Sequence, residues 1–422
     1  MSSDSEDFAN ENGQAGGGQL QASIEPVSLA EATPCPSGVT ALLSNVLCGD
    51  FCCGCGACIA VCPRNAFQLR ADGIVELRPS YDTVLCRGCF LCARVCPSLE
   101  EGSRRRFEER RAARSPVGLG QTRATVRAWA TSNRIRKKAS SGGAVTGLLL
   151  WGLGSGLFDG TVVTGRNAEK PWLPHPMLTS DPEMVVECAQ STYAITPALT
   201  AFRNQQGCGS SDSVAVVGLP CHMRALARIE QLRGLLPWKL PKIAVRLELA
   251  CSSATLISGA KSLIQTVCDV RLDQVAEVKY REGDYPGCFC ITTKDRRKVS
   301  VPFWQMVTHF QQFKPWRCQV CSDWVSGLAD LSFADGTDDP FSLSRSGQTG
   351  VRQSFVFVWS RRGEDLLRSA VETGYLGCEE SIFKANAGLE LKKKRLAEAT
   401  KVLNGRGNIE LLANIHTRQW AL

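Results

Sequence analysis

Two stretches of the chain carry one pattern of cysteines, CCGCGACIAVCP at residues 52–63 and CRGCFLCARVCP at residues 86–97. Each contains the spacing Cys-x-x-Cys-x-x-Cys-x-x-x-Cys-Pro, and the first has Cys53 as an extra thiol. Three thiolates from one tight loop can bind three irons of a cubane, while the fourth cysteine, followed by proline, reaches a second cluster. The duplicated pattern therefore predicts two [4Fe-4S] clusters.

The pattern also assigns the ligands of each cluster. One cluster is expected on Cys52, Cys55, Cys58 and Cys96, and the other on Cys62, Cys86, Cys89 and Cys92. Zinc is the alternative metal, but a lone zinc site needs only four ligands in two pairs, so a duplicated set of cysteines fits it poorly. This segment resembles the bacterial two-cluster ferredoxin fold. Cys35, Cys48 and Cys53 lie outside the pattern, and we expect them to be spare thiols.

The composition agrees with a metal-binding protein of the cytoplasm. The 21 cysteines among 422 residues gather in short runs, unlike the evenly spread cysteines of a secreted disulfide framework. The first residues contain no basic stretch followed by an apolar segment, so we expect no export signal. The apolar run at 144–153 contains glycines and is shorter than the ~20 residues of a membrane span. We therefore expect a soluble, cytoplasmic protein without a membrane span.

The net charge of +8 comes mainly from three basic segments, at 104–138, 296–298 and 392–395. Such charge is either a solvated surface or an attraction for an acidic redox partner or a phosphorylated cofactor. No aromatic-interleaved motif accompanies it, so nucleic acid is not expected as a partner.

The order of segments predicts several regions. We expect a disordered head at 1–47, because few large apolar residues occur there, the two-cluster domain at 48–100 and a basic linker at 101–123. The body then divides into 124–212 and 213–390, and a basic extension follows at 391–422. Strands and helices alternate in the body. Strands are predicted near 124–130, 160–165, 214–217, 243–250, 275–280, 289–293 and 355–358, and helices near 143–153, 222–235 and 364–373.

Four cysteines of the body are candidate ligands of a further site: Cys221, Cys251, Cys318 and Cys321. From spacing alone they can bind zinc, another [4Fe-4S] cluster or nothing.

A short polar segment, Ser140-Ser141-Gly142-Gly143, precedes an apolar helical stretch. Backbone N–H groups at such a helix start can receive a phosphate, although an ordinary helix cap is the alternative reading.

Several short motifs follow one another in a known order. They are the segment 140–143, Gln190-Ser191-Thr192-Tyr193, Val217-Gly218-Leu219-Pro220-Cys221, Tyr280-Arg281-Glu282-Gly283, and Cys318-Gln319-Val320-Cys321-Ser322-Asp323 with Ala329-Asp330. In this order they resemble the family of coenzyme F420 hydrogenase/dehydrogenase beta subunits. The likeness covers about 124–373, and the members of this family are FAD-containing iron-sulfur oxidoreductases.

This resemblance implies an α+β architecture, in which a small ferredoxin-like two-cluster domain precedes a larger α/β flavin-binding domain with a mixed sheet. It implies bound FAD and favours a third [4Fe-4S] cluster on Cys221, Cys251, Cys318 and Cys321. From the same resemblance, the flavin phosphates and ribityl chain are expected near Ser140, Ser141, Gly142, Gly143, Ser191 and Gly218. Lys279 and Arg281 are expected to line that site.

The chain departs from the family pattern at two points. His222 stands where many relatives carry Gln, and Phe333-Ala334-Asp335 replaces the more usual Gly-Asp. His222 is a candidate proton donor near the flavin, and a structural histidine beside a turn is the alternative. Cys288 and Cys290 are expected to be buried strand thiols without a role.

Together these features predict an oxidoreductase in which electrons move between the clusters and FAD, with hydride exchange to a deazaflavin coenzyme such as coenzyme F420 or to another organic substrate. A ferredoxin or another redox protein is expected to dock near the N-terminal clusters. The alternative is a non-catalytic electron-transfer subunit of a larger hydrogenase or dehydrogenase complex.

Overall fold

The computed structural model describes residues 51–78, 89–99, 122–203, 212–236, 238–336, 339–383 and 387–403, with Val39, Leu42 and positions 46–48 and 50. These residues belong to one compact unit. The predicted ligand Cys86, the thiol Cys35, most of the head and nearly all of the linker lie outside the described residues.

The two-cluster domain consists of two short helices and a hairpin. They are α1 (Ala57–Val61), α2 (Leu91–Val95) and the antiparallel strands β1 (Phe67–Leu69) and β2 (Val75–Leu77). Helix α1 begins after Gly56, whose φ of 79° is a left-handed conformation that suits glycine. Five cysteines pack in the core of this domain together with Val39, Leu42 and Val46, which are each 1 % exposed: Cys52, Cys58, Cys62, Cys92 and Cys96. These three apolar residues, from the end of the segment 1–47, belong to the core of the two-cluster domain.

The body contains two sheets. Their strands are β3 (Ala124–Ala130), β4 (Gly160–Arg166), β5 (Pro174–Thr179), β6 (Ser213–Gly218), β7 (Lys242–Leu249), β8 (Val275–Glu282), β9 (Cys288–Thr293), β10 (Lys298–Pro302), β11 (Leu331–Asp335), β12 (Ser354–Val358) and β13 (Leu376–Glu380). The large sheet has the order β13-β3-β12-β11-β7-β6-β4-β5, and β10-β9-β8 form a separate antiparallel sheet. Strands β11, β7, β6 and β4 are mutually parallel, while antiparallel strands flank them.

Helices cover the large sheet and support the connections between strands. They are α3 (Asn133–Lys138), α4 (Ala144–Gly154), α5 (Pro182–Glu187), α6 (Pro220–Gln231), α7 (Ile257–Ser262), α8 (Phe303–Phe310), α9 (Trp316–Gln319), α10 (Pro340–Ser346), α11 (Arg361–Glu372) and α12 (Ala387–Leu403). The main core lies between the sheet and α4 and α11, around Leu148, Val245, Val356 and Leu366. The long apolar run in the sequence is therefore a core helix. Within the described ranges, the chain has no helix with the length and apolar character needed to span a membrane.

The predicted α+β class with a mixed sheet is confirmed, and each predicted strand and helix of the body is present within a few residues of its expected bounds. The extension differs from the prediction at its start, because helix α12 covers 387–403 and packs Leu389 into a core with Trp324 and Phe357.

Candidate flavin cavity and iron-sulfur sites

The four parallel strands end at one edge of the large sheet. Gly218 pairs with Glu248, and Leu249 pairs with Phe333, so the last residues of β6, β7 and β11 lie side by side. A cavity of about 300 Å³ opens there, lined by residues that end or follow these strands, including Thr164, Gly218, Leu249 and Ala334. Ligands of open α/β sheets bind at this carboxyl edge.

Most of the predicted flavin residues line this cavity. They are Ser140, Ser141, Gly143, Ser191, Gly218 and Arg281. The backbone N–H of Ser191 donates to Ser140 Oγ at 2.8 Å, so two motifs that are far apart in sequence form one wall.

Gly142 and Lys279 do not line the cavity. A Cβ atom on Gly142 would lie 2.6 Å from the backbone nitrogen of Ser354, so glycine is required there by close backbone packing. The ammonium of Lys279 lies 3.3 Å from Glu282 and 3.4 Å from Glu277, at the partly exposed surface of the small sheet. The structure therefore gives these two residues no contact with a group in the cavity.

Arg281 is a buried cation in the cavity wall, with 3 % of its surface exposed. Its Nε donates to the carbonyl of Pro286 at 2.7 Å, and Nη1 donates to Asp335 Oδ1 at 2.8 Å. Its Nη2 is buried and has no hydrogen-bond partner among the residues that the structure describes. A buried donor without a partner is costly, so an anionic group such as a phosphate fits this position.

Gln190 supplies a second unpartnered polar atom in the same wall. Its Oε1 is buried without a hydrogen-bond partner in the described part of the chain, and the residue lines the cavity. An acceptor at this position suits a hydroxyl or a ring N–H of a bound cofactor. Gln190 belongs to one of the motifs that carry the family resemblance, but nothing in the sequence shows where its side chain ends.

A second cavity of about 430 Å³ adjoins the first. The two share wall residues that include Tyr193, Ser252, Ala254 and Asp335. Aromatic side chains of the second cavity are Phe303, Phe310, Trp324 and Phe341, and Lys394 adds positive charge. Lys314 also lines this cavity, and burial lowers its pKa to about 7.

His222 is buried between two backbone groups. Its Nδ1 accepts from the N–H of Leu219 at 3.0 Å, and its Nε2 lies 3.0 Å from the carbonyl of Thr196. Since the acceptor nitrogen carries no proton, Nε2 donates, and the ring is neutral; burial lowers its pKa and favours this state. Both ring nitrogens are engaged, so the geometry gives His222 a structural role at the start of α6.

The structure brings the four body cysteines together. Cys221 lies in the first turn of α6, Cys251 follows β7, and Cys318 and Cys321 flank the end of α9. Each thiol interacts electrostatically with others of the set. Burial raises the pKa of Cys251 to about 11 and also raises that of Cys318, so these two thiols are protonated at neutral pH when no metal is bound. Cys251 lines the first cavity, and the thiol site and the cavity therefore share a wall.

A buried ion pair joins the two halves of this thiol site. Arg224 of α6 donates to both carboxylate oxygens of Asp323, from Nη2 at 2.6 Å and from Nε at 2.5 Å. Burial alone would raise the pKa of Asp323, yet the hydrogen bonds and charge of Arg224 hold it below its ordinary value. The pair fixes the segment after Cys321 against the helix that carries Cys221.

In the two-cluster domain, all four predicted ligands of one cluster line a small cavity of about 20 Å³: Cys52, Cys55, Cys58 and Cys96. Burial raises the pKa of Cys52 to about 11 and that of Cys96 to about 12. Of the other set, Cys62, Cys89 and Cys92 are described, and Cys92 interacts electrostatically with Cys58. Across the described ranges, no group of three His, Cys, Asp or Glu side chains is arranged to hold a single metal ion.

Cys53 lies between the two thiol sites. Its thiol interacts with those of Cys221 and Cys55, and these interactions lower its pKa. The backbone also joins the domains, since the N–H of Leu199 donates to the carbonyl of Cys55 at 3.2 Å. The only sequence signal for this position was an extra cysteine beside Cys52.

Three family descriptions match the chain. The 4Fe-4S dicluster domain matches 51–99. The N-terminal part of the coenzyme F420 hydrogenase/dehydrogenase beta subunit matches 125–203, and its C-terminal part matches 211–382.

Curated relatives agree with these matches. The coenzyme F420 hydrogenase subunit beta of Methanosarcina barkeri is 28 % identical over 66 % of this chain and 89 % of its own. The protein of the same name from Methanothermobacter thermautotrophicus is 25 % identical over 66 % of this chain and 92 % of its own. The coenzyme F420-dependent sulfite reductase of Methanocaldococcus jannaschii is 23 % identical over 78 % of this chain but only 47 % of its own.

A solved structure of the F420-reducing [NiFe] hydrogenase complex from Methanosarcina barkeri contains a chain with the same fold. It superposes with a TM-score of 0.54 at 24 % identity and covers 69 % of this chain and 95 % of that chain. From the matched domains, we conclude that the chain belongs to the family of coenzyme F420 hydrogenase/dehydrogenase beta subunits, with a 4Fe-4S dicluster domain ahead of the two family domains.

Proposed function

We propose that this protein is an iron-sulfur flavoprotein oxidoreductase that passes electrons between [4Fe-4S] clusters and FAD and exchanges a hydride with an organic substrate. The observation that carries the proposal is the wall shared by the cavity at the carboxyl edge and Cys251 of the four-thiol site. A cofactor in this cavity would lie beside a metal centre. Family membership supports the oxidoreductase class.

The residues of the cavity wall fit FAD. Arg281 Nη2 would bind a phosphate, and the helix start at Ser140, Ser141 and Gly143 would provide further backbone donors. Gln190 Oε1 would accept from the ribityl chain or the ring. When bound, a flavin accepts a hydride and releases electrons singly, whereas a cubane cluster carries one electron at a time.

Three thiol sites would form a path towards the cavity. Two clusters would occupy the dicluster domain, and a third would occupy Cys221, Cys251, Cys318 and Cys321. The interactions of the Cys53 thiol with those of Cys55 and Cys221 support this order, because they link a cysteine of the dicluster domain to one of the proposed ligands of the third cluster. A low-potential ferredoxin or a similar redox protein would dock at the dicluster domain.

The second cavity is the candidate substrate site. Its aromatic wall suits a flat ring, and the ammonium of Lys394 suits an anionic group. The relatives are named for coenzyme F420, so a deazaflavin coenzyme or another organic substrate of that kind is the proposed hydride partner.

A non-catalytic electron-transfer subunit of a larger complex is the second candidate. Two of the relatives are named as subunits of a hydrogenase. The adjoining second cavity favours a substrate site in this chain over that alternative.

The test is anaerobic purification of the full chain, followed by iron, sulfide, zinc and flavin quantification on one sample. About twelve irons with one FAD would support three clusters and the flavoenzyme. About eight irons with FAD would refute the third cluster, and eight irons without flavin, even after reconstitution with FAD, would refute the enzyme.

Paired variants locate the third cluster. Cys318→Ser should lose about four irons and keep both the flavin and the other eight. Cys378→Ser, at a half-buried thiol of the edge strand β13, should keep all of them. A Cys318→Ser protein with unchanged iron content would contradict the assigned ligands.

A further inference from the structure

The C-terminal helix α12 places two buried cations against the four-thiol site. Lys392 is 4 % exposed and Arg395 is 9 % exposed, although both belong to a basic run that resembles a solvated surface. Lys392 Nζ donates to the carbonyl of Cys251 at 2.8 Å and to the carbonyl of Asp323. Arg395 Nη2 donates to the carbonyl of Ser252 at 2.6 Å. Both side chains thus hold the backbone that carries or adjoins the thiols.

Lys392 and Arg395 have no carboxylate partner among the described residues. Within the part of the chain that the structure describes, neither Lys392 nor Arg395 forms an ion pair, and Arg395 Nε and Nη1 are buried without any hydrogen-bond partner. Asp323, the nearby acid, is already paired with Arg224. Burying an uncompensated cation costs several kcal/mol. The arrangement therefore requires negative charge that this part of the chain does not supply.

The thiol site can supply that charge once it holds a metal cluster. Arg395 interacts electrostatically with Cys251, Cys318 and Cys321, and Lys392 interacts with Cys251 and Cys318. A cubane on four thiolates is a net anion, and its negative charge increases by one on reduction. Fixed cations beside it stabilise the reduced form more than the oxidised form.

We propose that Lys392 and Arg395 of α12 raise the reduction potential of the cluster at Cys221, Cys251, Cys318 and Cys321, so that this centre accepts electrons from the dicluster domain. The inference rests on the proposed third cluster. Reduction adds one electron from a one-electron donor and changes no covalent bond or proton. The matched family domain ends at residue 382, so the helix lies outside it.

The test is a redox titration of the anaerobically purified full chain, followed by electron paramagnetic resonance with dithionite as reductant. In Lys392→Gln the side chain keeps an N–H donor and loses the charge. At the wild-type midpoint potential, the ratio of reduced to oxidised centre should fall about tenfold, a shift of about 59 mV to lower potential. Arg395→Gln should shift in the same direction.

Two controls separate charge from structure. Lys392→Arg keeps the charge and should restore the wild-type midpoint. Lys401→Gln removes an exposed charge of the same helix, paired with Glu398 at 2.7 Å, and should leave the midpoint unchanged.

The outcomes are distinct. Twelve irons with equal midpoints in wild type and both Gln variants would overturn the inference and leave the proposed function intact. Eight irons in the wild type would refute the third cluster and the inference together. If Lys392→Gln does not accumulate as a folded protein, the midpoint potentials of Arg395→Gln and Lys392→Arg still test the inference.

Discussion

The dicluster domain and the four-thiol site of the body bring their cysteines together in opposite ways. In the dicluster domain the cysteines of each run are neighbours in sequence, so the spacing alone predicts their function. In the body they come from the starts and ends of separate elements, α6, β7 and α9, and the tertiary structure brings them together. The first site depends on local loops, whereas the second depends on the integrity of the whole sheet and of the polar contacts beneath it.

The largest expected effect follows from Asp323→Ala. This change leaves the charge of Arg224 buried without its bidentate partner, and the loss of one member of a buried pair costs about 3–5 kcal/mol. The free energy of unfolding, measured by denaturant titration, should fall by that amount. Iron bound by the body should be lost before iron bound by the dicluster domain.

Asp212→Ala is the matched control, because its pair with Lys239 is solvent-exposed. It should have no measurable effect on unfolding. Equal losses in the two variants would mean that the buried pair does not hold the body site together.

The second largest effect on stability concerns the contact between the dicluster domain and the body. A Cβ atom on Gly56 would lie 2.7 Å from Thr200 Cγ2 and 2.9 Å from the carbonyl of Pro197, at a left-handed φ of 79°. Gly56→Ala should therefore cost about 2–4 kcal/mol, from backbone strain together with overpacking. Thermal unfolding monitored by circular dichroism would measure it.

Gly156→Ala separates the cost of backbone strain from the cost of overpacking. Gly156 has a φ of 70°, and a Cβ atom added to it would have no neighbour within 4 Å, so only the strain of about 1–2 kcal/mol applies. If both alanine variants lose the same stability, packing between the regions contributes nothing.

The smallest expected effect is a pH dependence of the unfolding free energy, caused by one carboxyl group of the body. Burial raises the pKa of Glu248 from 4.5 to about 6, while hydrogen bonds from the backbone and hydroxyl groups of Ser326 and Ser332 oppose the rise. The folded protein therefore holds this proton more tightly than the unfolded chain. The stabilisation that comes from binding this proton is fully present below pH 4.5 and is lost as the pH rises through 6.

Between pH 5 and pH 7.5 this loss should amount to about 1 kcal/mol of unfolding free energy. Glu248→Gln cannot ionise and should remove the loss, whereas Glu372→Gln, at the exposed end of α11, should retain it. A pH profile of Glu248→Gln identical to that of the wild type would contradict this assignment.

Features that depend on local pattern could be predicted from the amino-acid sequence. They include the dicluster domain, most strands of the body and the segments whose residues line the cavity at the carboxyl edge of the large sheet, because period and spacing are local properties. The surface position of Lys279, the packing at Gly142 and the engagement of both nitrogens of His222 could not be predicted, since they depend on neighbours far along the chain. Nor could Lys392 and Arg395 be distinguished from the solvated lysines beside them, because burial of one helix face is decided by the partner surface.

The close approach of the dicluster domain to the body limits how this domain can be exchanged between proteins. A Cβ atom on Gly54 would lie 2.2 Å from Ile195 Cγ2, and one on Gly56 would lie 2.7 Å from Thr200 Cγ2. A ferredoxin domain that replaces it would need small residues at positions 54 and 56, or smaller side chains at positions 195 and 200. In engineered chimaeras, these pairs of positions are therefore best transferred together, as one unit that crosses the apparent domain boundary.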